Sequence, residues 1–363
     1  MSHCGSSSSL SVHTPGELDF HGPGKSLPVV VWIHGGGYFL GSASSFDGNN
    51  LIRESGNGIV AMIIQYRLGL FGFLAGETVK ANGRLNAGLL DQQFALQWVQ
   101  EHIAKFGDDP SGVTIWGESA GAGSVLQQYA FNDVVPEFLY DSAVSSTKGL
   151  FDILVFVPVV DGDFIKQRPV LTLIERKVNG EALLSVTNAN KGTLFVNAST
   201  ASTVQVPEYL MQLYSSLSVQ NRHVAVAKYS GLGAPIDQVT LIMGESIFVC
   251  PTYFLLRAFR GKRAFKASWN MNANGVPSFS NADFDKAFAD SFLAFAVSLD
   301  PTRTFEPTIT PDWIPFSFQQ GQQVEMRFNR TESGDLAVSP LTTPADLLDR
   351  CSFWESVGPE IGQ

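Results

Sequence analysis

Ser119 stands between two glycines in Thr114-Ile115-Trp116-Gly117-Glu118-Ser119-Ala120-Gly121. A β-branched run feeding G-x-S-x-G suits a nucleophile, because a sharp strand-to-helix turn pushes the serine hydroxyl clear of its surroundings and leaves no room for a Cβ at either glycine. A second group of residues complements it. His34-Gly35-Gly36-Gly37 closes the apolar run Val29–Ile33, and glycine N–H groups that approach a substrate closely are good stabilisers of the oxyanion formed when a serine attacks a carbonyl. Gly36, Gly37 and Ala120 are the expected donors.

A serine nucleophile also needs a histidine base held by a carboxylate. No histidine follows His223 in this chain. His3, His13 and His21 lie in a polar N-terminal stretch, His102 sits on the helix of Trp98–His102 and His223 precedes Val224–Ala227; all read as surface or structural residues, and His34 reads as a loop-structuring residue. The catalytic histidine is therefore expected to be absent. Glu118 adjoins the serine, but successive residues at such a turn point apart.

The elements that would position these groups are strands ending at Ile33 and Gly117 and a helix opening at Ala120. With Val29–Gly41, Ile64-Gln65-Tyr66-Arg67-Leu68-Gly69-Leu70-Phe71-Gly72-Phe73-Leu74, Asn86–Val99, Phe106–Pro110, Val113–Ser124 and Arg350-Cys351-Ser352-Phe353-Trp354, they make the chain resemble the type-B carboxylesterase/lipase family, which includes fungal lipases and cholinesterases. The resemblance implies the α/β-hydrolase fold, a mostly parallel central sheet flanked by helices, and hydrolysis of a small-molecule carboxylic ester through an acyl-serine. It implies that Glu118 faces the core.

Carried over residue by residue, the resemblance departs from the family at two places. The family's acid precedes the glycine of a segment resembling Thr187–Phe195, and Lys191 stands there. An ammonium repels an imidazolium instead of stabilising it, so Lys191 does not function as the acid. The family's histidine loop precedes a helix resembling Phe284–Phe295, and Met271–Asp283 carries no histidine. The encoded protein is thus expected to be a weak or inactive esterase. The alternative is a cholinesterase-like protein that binds a partner without catalysis.

The resemblance further implies that parts of the substrate-covering region are missing. Leu10–Pro15 resembles a strand that a longer segment normally precedes, and Leu139–Val144 resembles the strand after the nucleophile helix, from which the chain passes within a few residues to Phe156–Asp163. A shortened paralogue and a gene model that skipped coding segments both account for this. Residues 1–24 read as a polar, irregular segment, and 25–363 as a single α/β-hydrolase domain.

At 363 residues, 44% hydrophobic and 16% charged, the chain can bury a sizeable core. Its formal charge of −10 argues against nucleic acid or anionic membranes as partners, and no apolar run suggests a membrane span. The 27 phenylalanines against 8 tyrosines suggest a phenylalanine-rich core, with Phe39, Leu40, Phe71 and Phe73 close to the motif loops. No metal-ligand spacing or phosphate loop occurs, so neither a metal nor a cofactor is expected. Of three cysteines, Cys4 resembles half of a family disulfide, while Cys250 and Cys351 can pair or stay reduced. Asn197-Ala198-Ser199 and Asn329-Arg330-Thr331 are sequons that fit a secretory ancestry, although the first residues lack the pattern of a signal peptide. Compartment and oligomeric state stay open.

Overall fold

Strands β1 (Ser9–His13), β2 (Leu27–Ile33), β3 (Val60–Gln65) and β4 (Asp108–Gly117) form a sheet of order β1-β3-β2-β4 in the computed structural model of the chain. The structure describes residues 9–16, 26–106, 108–128, 156–269, 281–318, 323–331, 333 and 335–362. β2 pairs in parallel with β3 and β4, and β1 runs antiparallel to β3.

Alternation of side chains along a strand, with both faces covered, explains why β2 and, up to Gln65, β3 are apolar. Val29, Val31, Ile33, Met62 and Ile64 belong to one buried cluster, while Val30 and Ile59 join Leu293 and Ala296 in another. Burial of each such side chain contributes ~1.5–3 kcal/mol. A helix at Ala87–His102 packs on the sheet through Leu89, Gln92, Ala95 and Val99, spaced at helical intervals. The turn before it is fixed by Arg67, whose Nε and Nη2 donate to the Asp91 carboxylate at 2.8 Å each while its main-chain N–H donates at 2.9 Å.

Within residues 1–24, read from composition as irregular, Ser9–His13 is a strand, as the resemblance of Leu10–Pro15 implies, with Ser9 opposite Gln65 and His13 opposite Ala61. Without it the outer edge of β3 would leave a row of unpaired backbone groups, and Leu10 and Val12 add apolar contacts to the core. Cys4 and the expected strand Leu139–Val144 lie outside the described residues.

Among the described residues the chain divides into two compact units: 9–128, 156–167 and 289–308 in the first, and 168–288 and 309–362 in the second. The second unit holds β5 (Ala182–Asn188), β6 (Arg263–Trp269), β7 (Val324–Arg330) and β8 (Leu336–Thr342), in that order across its sheet. β5, β6 and β7 pair in parallel, and β8 closes the edge antiparallel to β7. Aromatic rings cluster in its core: Trp269 meets Phe284, Phe288 and Phe328 at ring separations of 5.0, 3.8 and 5.5 Å.

Cys250 and Cys351 are joined in a disulfide across 101 residues of sequence, a closure worth about 4.7 kcal/mol in the chain-entropy account. Beside it Arg350 makes two 2.8 Å bonds to Glu245, which also accepts from Tyr229 at 2.7 Å; the Trp354 indole donates to the Tyr229 oxygen at 2.7 Å. Pro235–Ala258 runs as one 24-residue helix, long and apolar enough to span a bilayer, but two thirds of its apolar window is buried inside the protein. Core packing explains its composition. The helix widens at Glu245–Val249 into a π turn, in which the N–H of Cys250 reaches back to the Glu245 carbonyl ahead of Pro251.

Candidate functional site

The register of β2 against β4 brings the two motif loops together. Ile33 lies opposite Gly117, so the strands end level and both chains leave the sheet at the same edge, the carboxyl edge where α/β folds place their chemistry. After Gly117 the backbone reverses at Ser119, which adopts φ 57°, a left-handed conformation costing a non-glycine residue of order 1–3 kcal/mol. A helix then runs over Ala120–Gln128. The turn is closed by Gly121 N–H to the Glu118 carbonyl at 2.8 Å and Gly123 N–H to the Ser119 carbonyl at 3.0 Å.

Three glycines are required by contact. A Cβ on Gly117 would overlap the Gly121 carbonyl, and one on Gly121 would overlap the carbonyl of Ile33. A Cβ on Gly35 would lie 2.6 Å from the Glu118 carbonyl oxygen and 3.1 Å from Ser119 Cβ. Gly35 is thus the residue where the glycine loop meets the serine turn, a role hidden in the sequence because any of three consecutive glycines can fill it.

Past Gly35 the loop is left-handed at three consecutive residues, with φ 105° at Gly36, 61° at Gly37 and 65° at Tyr38. The Gly36 carbonyl turns back to accept from Phe39 and Leu40 at 3.1 and 2.8 Å. Among the described residues, the N–H groups of Gly36, Gly37 and Ala120 donate to no protein acceptor, so they are available to a ligand. Tyr38 anchors the loop: its carbonyl accepts from Gly69 at 2.8 Å, and its buried hydroxyl bonds to Ser124, which takes a 3.0 Å bond from Gln92. Burial pushes the Tyr38 hydroxyl well above the ordinary tyrosine range.

His34 is buried beneath this loop, donating from Nδ1 to the Gly35 carbonyl at 2.8 Å and stacked on Tyr66 at 4.6 Å. Desolvation lowers its pKa, partly offset by that backbone bond. His13 bonds to Ser11 and Asn49, His102 lies beside Lys105, and His223 is exposed on the helix Val219–Tyr229. His3 and His21 lie outside the described residues, as do 270–280 of the expected histidine loop. Among the described residues no side chain hydrogen-bonds to the Ser119 hydroxyl.

Glu118, expected to face the core, is exposed like Ser119, since the reversal carries both side chains past the sheet end. Asp161 and Asp163 lie in the same unit. Asp161 caps its own loop through the N–H groups of Asp163 and Ile165 and accepts from Asn86 at 2.9 Å, while Asp163 pairs with Arg84 at 2.5 Å. Lys191 falls in the second unit, half-buried in the 3-10 turn Lys191–Leu194 just beyond the end of β5. Gly192 beside it packs on the Thr240 carbonyl with no space for a Cβ. No group of three His, Cys, Asp or Glu side chains is disposed to hold a metal among the described residues.

Residues 9–135 match the sequence model of the carboxylesterase family. The chain is 53% identical over 109 residues to secreted lipase 1 of Botryotinia fuckeliana, an alignment covering 29% of this chain and 19% of that lipase. It is 28% identical to lipase 4 of Diutina rugosa, over 77% of this chain and 68% of that protein. Against carboxylesterase patB of Penicillium expansum the identity is 27%, covering 93% of this chain and 72% of the relative. That last alignment runs 415 positions, more than the 363 residues present, so segments of the relative have no counterpart here. The chain spans about a fifth of the first relative's length and little more than two thirds of the other two. Its fold is that of the crystal structure of Aspergillus niger EstA, with a TM-score of 0.79 at 23% identity over 97% of this chain and 84% of the other. The chain thus has the α/β-hydrolase fold, and its residues 9–135 carry the sequence pattern of the carboxylesterase family.

Proposed function

We propose that Ser119 is the nucleophile of a carboxylic ester site, that Gly36, Gly37 and Ala120 are its oxyanion donors, and that the chain turns esters over weakly or not at all. The observation that carries the reading is the strained Ser119 backbone beside a glycine loop whose N–H groups are unpaired. In this reading the serine oxygen attacks the ester carbonyl and the three N–H groups receive the oxyanion. The step lacks a partner for the serine proton, since no histidine occurs after His223 and Lys191 stands at the acid position. Binding and the oxyanion hole alone sustain ~10³–10⁴-fold acceleration over water in serine enzymes stripped of triad members.

The same two departures favour, as a second reading, a protein that binds a partner on the esterase fold without catalysis. Fluorophosphonate labelling and p-nitrophenyl ester hydrolysis, each measured beside Ser119→Ala, separate the two. Labelling or slow turnover that vanishes with Ser119→Ala supports a formed ester site. A folded chain that neither labels nor exceeds the variant supports the binding reading. Turnover comparable to that of an intact serine esterase overturns the assignment of an impaired triad.

A further inference from the structure

Asn197 begins a sequon that the esterase reading leaves unused. It caps the short turn Ala198–Thr200, and its Oδ1 accepts from the Ser199 N–H at 3.0 Å and the Ser199 hydroxyl at 2.8 Å. With Oδ1 committed to the third residue of the sequon, Nδ2 donates to no group among the described residues. Residues 197–199 and 201–203 are exposed, so a bulky substituent on Nδ2 meets solvent. The second sequon differs. Asn329 lies half-buried in β7, laddered opposite Ala337 of β8, and its interactions are already made.

A second observation concerns compartment. Cys250 and Cys351 are oxidised to a disulfide that joins two helices of the second unit, and such a bond persists in the oxidising spaces of the secretory route. Sequons are read in that same space.

We propose that Asn197 is an N-glycosylation site and that the chain matures in an oxidising compartment where glycan is transferred. The co-reactant is an oligosaccharide carried on a lipid pyrophosphate. Asn197 Nδ2 forms a bond to the anomeric carbon of the first sugar, the bond from that carbon to the pyrophosphate oxygen breaks, and one Nδ2 proton passes to a base of the transferase. No electrons change hands. The attached glycan retains one Nδ2–H, and the Ser199 contacts to Oδ1 are undisturbed. This proposal is independent of whether Ser119 reacts with esters.

The test uses the full chain, translated into microsomes and, in parallel, secreted behind a cleavable leader from a eukaryotic host. Peptide-N-glycosidase treatment in heavy-oxygen water followed by peptide mass spectrometry reports each asparagine that carried glycan. The expected result is heavy-oxygen label at Asn197, with one electrophoretic step lost in Asn197→Gln and kept in Asn329→Gln. The microsome arm reads transfer without requiring export, so a variant that fails to be secreted still reports. An unlabelled Asn197, or a step that survives Asn197→Gln, overturns the proposal. Label at Asn329 in the folded, secreted chain overturns the geometric argument that separates the two sequons.

Discussion

The serine turn of the first unit and the Lys191 turn of the second both follow parallel strands, but they are held by different kinds of constraint. At the serine turn the main chain itself sets the geometry: Gly35, Gly117 and Gly121 are hemmed by backbone atoms, and Ser119 is left-handed. At the Lys191 turn Gly192 is equally hemmed, by the Thr240 carbonyl, yet the neighbouring side chain is free to be any residue that fits a half-buried position. A backbone constraint resists change because every substitution clashes. A side-chain position can change charge while the turn stays folded, so the residue at 191 is constrained less than the glycine beside it.

The largest test of this contrast is on the second unit, whose fold depends on side-chain identity at its buried ion pair. Arg350 and Glu245 are nearly buried and bonded at 2.8 Å, so Arg350→Ala leaves an uncompensated charge and should cost ~3–5 kcal/mol in urea unfolding. Replacing both partners, as Glu245→Leu with Arg350→Met, should recover most of that loss. A mild single variant would mean that water reaches Glu245 and that the second unit is held elsewhere.

In the first unit the corresponding break is Gly121→Ala, whose methyl must enter the Ile33 carbonyl. A cost of ~1–3 kcal/mol is expected from overpacking, with loss of fluorophosphonate labelling at Ser119 because the turn has to open. If labelling survives at wild-type rate, the elbow tolerates more movement than its contacts allow and the contrast with Lys191 weakens.

Buried Lys266 tests the second unit by pH. Its ammonium bonds to Thr187 Oγ1 at 2.6 Å, and burial lowers its pKa to about 8 from 10.5, with Glu325 opposing the shift. Between those values the unfolded chain holds the proton that the folded chain has lost, so stability rises with pH, by about 1–2 kcal/mol from pH 8 towards 10. Higher still the sign reverses, because the buried Tyr253 hydroxyl is held protonated above its ordinary 10.0. Urea midpoints across this range should rise in the wild type and stay flat in Lys266→Met.

What was legible in the sequence follows the same division. The elbow and glycine loop can be read because their requirements are local, with glycines two residues either side of Ser119 and a three-glycine run after a β-branched strand. The phenylalanine-rich core is visible in composition, but not which rings meet, since Trp269 and Phe328 are brought together by strand pairing. Arg350 and Glu245 are 105 residues apart, and nothing local marks either as the other's partner. The disulfide was open for the same reason. Composition reads the serine-rich start as irregular, and only the resemblance of Leu10–Pro15 to a strand marks what pairing with the edge of β3 makes of Ser9–His13.

The smallest expected effect is the sharpest on function. Lys191→Glu puts a carboxylate at the position that the resemblance assigns to the acid without touching Gly192, so on the proposed reading a protein limited by that charge alone should gain turnover. A carboxylate orients and supports an imidazole; it does not take the serine proton itself. With no histidine after His223 to be oriented, p-nitrophenyl ester hydrolysis by Lys191→Glu should stay within about twofold of the wild type, because triad members act as a unit. A large gain would mean that one of the six histidines of the chain reaches Ser119, and the missing base would then have to be sought in a residue already present.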